Sequence, residues 1–372
     1  MSENISKSAI DWSKVRRVLV VRLRSIGDTV LSTPSLIALK RFLPNAQIDI
    51  LLEDWVAPVL DGFDAVDNVL TVSRKDKKSR VETAWQIHRN PYDVAFNLHG
   101  GTTATFFVRA SGAEYRVGLA SYQYKFLYTH LAPSPLEFWR TEHAHSAEQQ
   151  LALLGFVGVP VSDRPESRLI VTEKALKSLK EKFNAVKAQR HKGAKDFLPE
   201  INFNQSQILN PKSQIALVHP TAAFDTKQWA TENFARVAES LFEKGLQTVA
   251  VAAREEREVL ETLRQTSRAP VTIFDDLTLP EITALASRAK IFVGNDSGIA
   301  HIAAAVNTPT VVIFGASNVN HWRPWTNAPN EIVYANEACN HQLDEIRKGS
   351  ENPKCIRCVE VKEVCEAIER VL

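Results

Sequence analysis

The sequence predicts an α/β protein of two parallel-sheet units, and three observations carry that prediction. Apolar runs of strand length alternate with stretches of helical period in both halves of the chain. That alternation is the mark of a parallel sheet with helices on both faces. Next, the turn Gly294-Asn295-Asp296-Ser297-Gly298-Ile299-Ala300-His301 directly follows the apolar run Ile291-Phe292-Val293. Finally, a second polar turn, Arg24-Ser25-Ile26-Gly27-Asp28-Thr29, follows Val18-Leu19-Val20-Val21. Two α/β halves that aim such turns at a shared cleft suit an enzyme that joins two substrates.

The elements follow in order. In the first half, strands are predicted at 17–21, 47–52, 68–72, 93–97 and 116–118, with helices at 35–42 and 81–88 between some of them. Pro34 fits the first turn of a helix that begins near Thr33, which leaves Asp28 in a loop. A helix at 146–156 ends at Gly155 and Gly158, before Pro160. A connector follows, then a lysine-rich helix over 173–188, then a polar insertion at 190–213 with little periodicity. In the second half, strands are predicted at 214–220, 248–252, 270–273, 291–293 and 310–314, with helices at 231–244, 254–265, 280–287 and 299–306. Val361, Val364, Cys365, Ile368 and Val371 fall at helical spacing and predict a final helix. The domain reading is an acceptor-binding unit over 1–165, a connector over 166–213, a nucleotide-sugar unit over 214–354 and a C-terminal helix over 355–372.

Composition narrows the function. The chain has 372 residues, 44% hydrophobic and 24% charged, as a globular protein of two domains does. A net charge of +2 gives no general attraction to nucleic acid or membrane. No apolar stretch approaches the roughly 20 residues needed to span a bilayer. The first residues carry no signal peptide, so the expected location is cytoplasmic, with contact at the inner membrane surface left open. Cys339, Cys355, Cys358 and Cys365, with His341, offer a single CxxC pair as a metal reading. The alternative is that Cys365 fills the apolar stripe of the last helix.

Several residues have the chemistry of a transfer site. Asp296, Ser297 and Gly298 stand at a helix N-terminus, where free N–H groups and the dipole favour a diphosphate. His301 lies on that helix and either faces the ligand or packs on the sheet. Asp28 stands beyond a strand's carboxyl end, where open α/β sheets bind ligands; there a carboxylate serves as general base or as helix cap. Thr221 and Lys227 follow another strand and suit a phosphate, by hydrogen bond and point charge. Glu255 and Glu256 stand where a carboxylate holds ribose hydroxyls or simply begins a helix. Arg22, Arg24, Arg109, Arg116 and Lys125 are basic groups able to receive an acidic acceptor. Neither GxGxxG nor GxxxxGK[ST] occurs, which argues against a dehydrogenase and an ATPase.

These segments together resemble the ADP-heptose:lipopolysaccharide heptosyltransferases of glycosyltransferase family 9. The matching stretches run from Val20 to Pro34 and include Asn97-Leu98-His99-Gly100-Gly101, Gly112 to Gly118, His145 to Leu154, His219-Pro220 and Lys227-Gln228-Trp229. Gly294 to Gly298 with His301, and Thr308 to Gly315 followed by Trp322, complete the likeness. The chain departs from the family pattern at Gln228, where Arg or His is more usual, and at Ala252-Ala253-Arg254, which lacks glycine. The resemblance implies a GT-B fold, two Rossmann-like domains facing a central cleft. It also implies an inverting, metal-independent transfer with no cofactor beyond the ADP-sugar co-substrate. Asp28 and Lys227 are then catalytic, and Thr221, Glu255, Asp296, Ser297, Gly298 and His301 hold the donor. Arg24, Arg109 and Arg116 meet a lipid-linked or glycan acceptor of the lipopolysaccharide inner core, and no nucleic acid takes part. Two rival readings share the fold: a transferase for another nucleotide-sugar and cell-surface glycan, and a non-catalytic nucleotide-sugar-binding partner.

Overall fold

The computed structural model describes residues 9–190, 214–335 and 355–372. Its contacts divide the chain into two compact units, Met1–Arg168 and Leu169–Leu372. The insertion predicted at 190–213 lies, beyond its first residue, outside the described residues, as do Cys339 and His341.

The first unit runs β1 (Arg17–Leu23), α1 (Ile26–Val30), α2 (Thr33–Phe42), β2 (Gln47–Glu53), β3 (Asn68–Val72), α3 (Lys77–Arg89), β4 (Val94–Asn97), α4 (Gly101–Ala110), β5 (Tyr115–Leu119), β6 (His130–Ala132), α5 (Pro135–Trp139) and α6 (Ser146–Phe156). Its six strands are parallel in the order β3-β2-β1-β4-β5-β6. All of β1 beyond Arg17 is buried, as a central parallel strand covered on both faces requires. Pro34 sits in the first turn of α2, where its missing N–H costs no hydrogen bond. The amide of His145 donates to Glu148 at 2.9 Å and the amide of Ala147 to His145 Nδ1 at 3.1 Å, which caps α6.

The second unit runs α7 (Glu173–Arg190), β7 (Ile215–His219), α8 (Thr231–Glu243), β8 (Gln247–Val251), α9 (Arg257–Thr266), β9 (Val271–Phe274), α10 (Leu279–Ala286), β10 (Ile291–Asn295), α11 (Gly298–Ala305), β11 (Thr310–Ile313), α12 (Val319–Trp322), β12 (Asn330–Val333) and α13 (Val361–Val371). Its strand order is β12-β11-β10-β7-β8-β9. Counted from β7, this repeats the order of the first unit, and both match the doubly wound dinucleotide-binding pattern. The core of this unit closes around Trp229, which is 2% exposed. Its ring packs edge-on against Phe234 at 5.1 Å, and its indole N–H donates to Val359 O at 2.9 Å, tying the chain before α13 to the sheet. Cys365 packs against this core beside Val361, as the apolar-stripe reading of the last helix expects.

Six of these elements were not predicted, among them the short helices α5 and α12, of five and four residues. β6 and β12 are edge strands of three and four residues, too short for a periodic signal. α1 is a single turn of five residues. α4 begins at Gly101 after Gly100, and its Thr102-Thr103 and Phe106-Phe107 pairs have weak helix propensity; packing against α3 and β1, not propensity, holds it. α1 also corrects the placement of Asp28, which occupies the third position of this turn instead of a loop.

Candidate functional site

In an open parallel sheet the ligand crevice opens outside the carboxyl ends of the two strands where the winding reverses. Those strands are β1 and β4 in the first unit and β7 and β10 in the second. Each unit gathers its chemistry at that point.

In the first unit, Val21 of β1 is level with Asn97 of β4. Arg22 follows Val21, and its side chain is 7% exposed. Its guanidinium donates from Nη1 to Leu98 O at 3.0 Å and from Nε to Asp28 O at 3.3 Å. It also meets His99 Nδ1 at 3.3 Å and pairs through Nη2 with the Asp28 carboxylate. Burial lowers the Arg22 pKa, and the charge of Asp28 works against that shift. The Ser25 hydroxyl donates to Asp28 Oδ2 at 3.0 Å, and the Ser25 amide donates to the same oxygen at 3.3 Å. Asp28 therefore caps α1 and also faces the crevice, with its side chain 21% exposed. The cap and base readings are compatible: Oδ2 takes both bonds from Ser25, while Oδ1, paired with Arg22, keeps a second lone-pair site.

On the β4 side, Asn97 Oδ1 accepts from the amides of His99 at 3.0 Å and Gly100 at 2.8 Å. The chain then turns through Gly100 and Gly101 at φ 73° and 72°, conformations that side-chain-bearing residues rarely adopt. The Tyr122 ring lies 3.2 Å from where a Cβ on Gly100 would sit, and its hydroxyl donates to Asn97 O at 3.2 Å. Burial, and next the charge of Arg22, push the His99 pKa down to about 4. His99 lines a cavity of about 90 Å³ with Arg24, Glu53, Arg74, Arg80 and Thr103. Arg24 Nε stands 3.9 Å from Glu53 Oε1 there.

Arg109 and Arg116 do not join this cluster. Arg109 lies in the last turn of α4, which starts at the carboxyl edge of β4 and so carries its end away from it. Arg116 is level with Ala95, and hence with Leu19, short of Arg22. Its guanidinium donates to Leu127 O at 2.7 Å and Ala113 O at 2.5 Å, fastening a loop.

In the second unit, Gly294 of β10 is level with His219 of β7. A Cβ on Gly294 would stand 2.8 Å from His219 O, so only glycine allows this approach. The loops beyond are laced by Asn295, fully buried, which donates to Pro220 O at 2.8 Å and accepts from the Trp229 amide at 3.1 Å. Lys227, two residues before Trp229, reaches Asp296 Oδ2 at 2.7 Å. Asp296 is 6% exposed and immediately precedes Ser297, the N-cap of α11. The Ser297 hydroxyl is buried and has no hydrogen-bond partner among the described residues. Gly298 opens α11, and His301 is buried within it.

Thr221 donates to Glu256 Oε2 at 3.0 Å, and the Ala253 amide donates to the same oxygen at 3.0 Å. Glu255 is exposed and turned outward, so Glu256 is the carboxylate at this strand end. His219 Nδ1 lies 2.8 Å from Val251 O, and a carbonyl only accepts, so that nitrogen carries the proton. Burial lowers the His219 pKa.

Sequence reasoning named Arg22 only among the basic residues, left Glu256 level with Glu255 before the resemblance favoured Glu255, and gave His99 no role. A signal existed for Arg22: a lone charge inside the apolar run 18–23 must be buried and partnered. Choosing Glu256 over its neighbour required the helical phase after β8. Among the described residues no group of three His, Cys, Asp or Glu side chains is placed to hold a metal, and no helix is long and apolar enough to cross a membrane.

The profile of glycosyltransferase family 9 (heptosyltransferase) matches residues 80–351. Lipopolysaccharide heptosyltransferase 3 of Escherichia coli (strain K12) is 27% identical over 238 residues, which cover 61% of this chain and 60% of that protein. The aligned part thus spans less than two thirds of the relative's own length. Among solved structures, the glycosyl transferase family 9 protein from Veillonella parvula DSM 2008 aligns with a TM-score of 0.77 at 18% identity, over 98% of each chain. Escherichia coli heptosyltransferase WaaC with ADP aligns with a TM-score of 0.69 at 16% identity, over 96% of this chain and 100% of that one. These likenesses bear out the GT-B fold, two Rossmann-like units in one chain.

Proposed function

The chain belongs to glycosyltransferase family 9, and from that membership we propose that it moves a heptose from ADP-heptose to a lipopolysaccharide inner-core acceptor, with inversion and without a metal. One observation carries the reading. Two units of identical topology place a crevice-facing carboxylate at one switch point and a cation beside a helix N-terminus at the other.

In the reaction the acceptor hydroxyl oxygen forms a bond to the anomeric carbon while the bond from that carbon to the diphosphate oxygen breaks. The hydroxyl proton passes to Asp28. Its ion pair with Arg22 and its bonds from Ser25 fix the carboxylate's direction, which is what general-base catalysis needs first. The electron pair leaves with ADP. Without a metal, the developing charge is met by the amides that open α11, the Ser297 hydroxyl and Lys227. Lys227 is held at that end by Asp296, so an arriving diphosphate finds the ammonium already positioned. Asp296 is its counter-ion, and His301 packs within the helix. Thr221 and Glu256 form the edge where a ribose would lie, and Glu256 takes the part that the resemblance gave to Glu255. Arg24, which stands beside Glu53 at this strand end, is the acceptor-side arginine in this reading. The acceptor is lipid-linked or a free glycan, and the enzyme works at the cytoplasmic face of the inner membrane as a peripheral protein.

The test is direct. Purified protein given ADP-heptose and heptose-deficient lipopolysaccharide should release ADP in proportion to the heptose joined to the core. Tight ADP binding with no transfer to any acceptor preparation would replace this reading with that of a non-catalytic partner.

A further inference from the structure

Arg22 is the one buried charge at the first switch point that the transfer chemistry uses only as a partner of Asp28. Its geometry does more. A guanidinium has N–H donors and no acceptor. The 3.3 Å contact from Arg22 Nη1 to His99 Nδ1 therefore requires that nitrogen to be unprotonated. In a neutral ring the proton then resides on Nε2. The ring is held neutral by burial and by the charges of Arg22 and Arg24, against the charge of Asp28 and a hydrogen bond with the Arg22 backbone. The backbone is fixed as well, since the His99 amide donates to Asn97 Oδ1 at 3.0 Å.

We propose that Arg22 is a positioning residue that locks His99 in its Nε2–H tautomer, so that His99 offers a hydrogen bond to an oxygen of the acceptor sugar while Asp28 receives the proton of the attacking hydroxyl. One guanidinium spans both groups, across 77 residues of sequence to His99. It sets the direction of a proton acceptor and of a proton donor in one crevice. The role of His99 toward the acceptor rests on the transferase reading; the tautomer lock does not.

Nitrogen NMR on protein with isotopically labelled histidine reads the lock directly, in the resting protein and at neutral pH. The His99 signal is identified by its loss in His99→Gln. The expected wild-type signature is a neutral ring protonated on Nε2. Arg22→Met should move that signature toward a tautomer mixture or a protonated ring, with melting used to confirm that the variant folds. In transfer assays, His99→Phe should lower kcat/KM for the acceptor about tenfold, as loss of one buried hydrogen bond does, and leave KM for the donor unchanged. His99→Gln, which keeps an N–H donor, should recover most of that loss. A wild-type ring protonated on Nδ1 would overturn the lock even if no variant folds, and so would an Arg22→Met ring identical to wild type. Equal activity of the Phe and Gln variants would overturn the donor role. The expected NMR signature in a protein that transfers no sugar would sink the transferase reading and leave the lock standing.

Discussion

The two units share one strand order yet load their switch points in opposite ways. The first fills its crevice with a buried cation, Arg22, and turns a carboxylate outward beside it. The second buries the carboxylate, Asp296, and leaves the cation, Lys227, the more exposed partner at 27%. Topology thus sets where a ligand is met, and in the proposed transfer the sign of the outer partner sets what is met there: a proton donor at Asp28, an anion at Lys227. The backbone follows suit. The first unit spends its turn amides on Asn97 and Asp28, while α11 in the second opens on Ser297 with the amides of its first turn free of intrahelical partners.

The sharpest way to break this contrast is Asp28→Asn. The amide oxygen still accepts from Arg22, so the buried guanidinium is not orphaned. The base is gone, and kcat should fall by about 10²–10⁴ while ADP affinity in calorimetry stays unchanged. Turnover within tenfold of wild type would remove Asp28 from the base role.

Lys227→Met tests the opposite site. Removing a charge-assisted contact worth about 1.5–3 kcal/mol should weaken ADP binding about 10–100-fold, and the salt dependence of binding should shrink with it. Asp28→Asn should show neither change. If ADP affinity survives Lys227→Met, the anion lies elsewhere in the unit.

Acid separates the units more gently. His99 has a folded pKa of about 4, below the value near 6.5 of an unfolded histidine. The unfolded chain therefore binds more protons between those values, and stability should fall as pH drops through that window. The contribution of His99 is on the order of 1–3 kcal/mol, and His99→Gln should flatten the melting temperature against pH by that share. His219, also lowered by burial, should leave a residual slope of the same sign. A wild-type curve that rises on acidification would contradict both.

The smallest effect is expected at Arg109. It lies at the far end of α4 from the crevice, so Arg109→Ala should change kcat/KM less than about twofold, as surface substitutions away from such features do. A larger loss would bring an acceptor contact to that end of the sheet.

Much of this was readable in the chain itself. Strand ends announce switch-point loops, so position alone placed Asp28, Thr221, Lys227 and Ser297 beyond strand ends, and the family resemblance gave them their roles. The helix predicted at 280–287 forms as α10, and the structure shows its start set by the capping box of Thr278 with Glu281 and by Pro280, signals that act within one turn. What failed was long-range. Arg22 was grouped with ordinary basic residues, since only β4 arriving beside β1 supplies its partners. Arg109 and Arg116 seemed equivalent to Arg24, although helix direction and strand level send them elsewhere.

Local chemistry, then, settled on its own where strands end, where helices begin and which small polar groups stand at those junctions, because propensity, capping and periodicity act over a few residues. Only tertiary structure decided the pairings: Arg22 with His99, Lys227 with Asp296 across 69 residues, and Glu256 in preference to Glu255. Hydrogen bonds and ion pairs need distances near 3 Å, and no sequence spacing encodes which distant loop parallel pairing will bring that close.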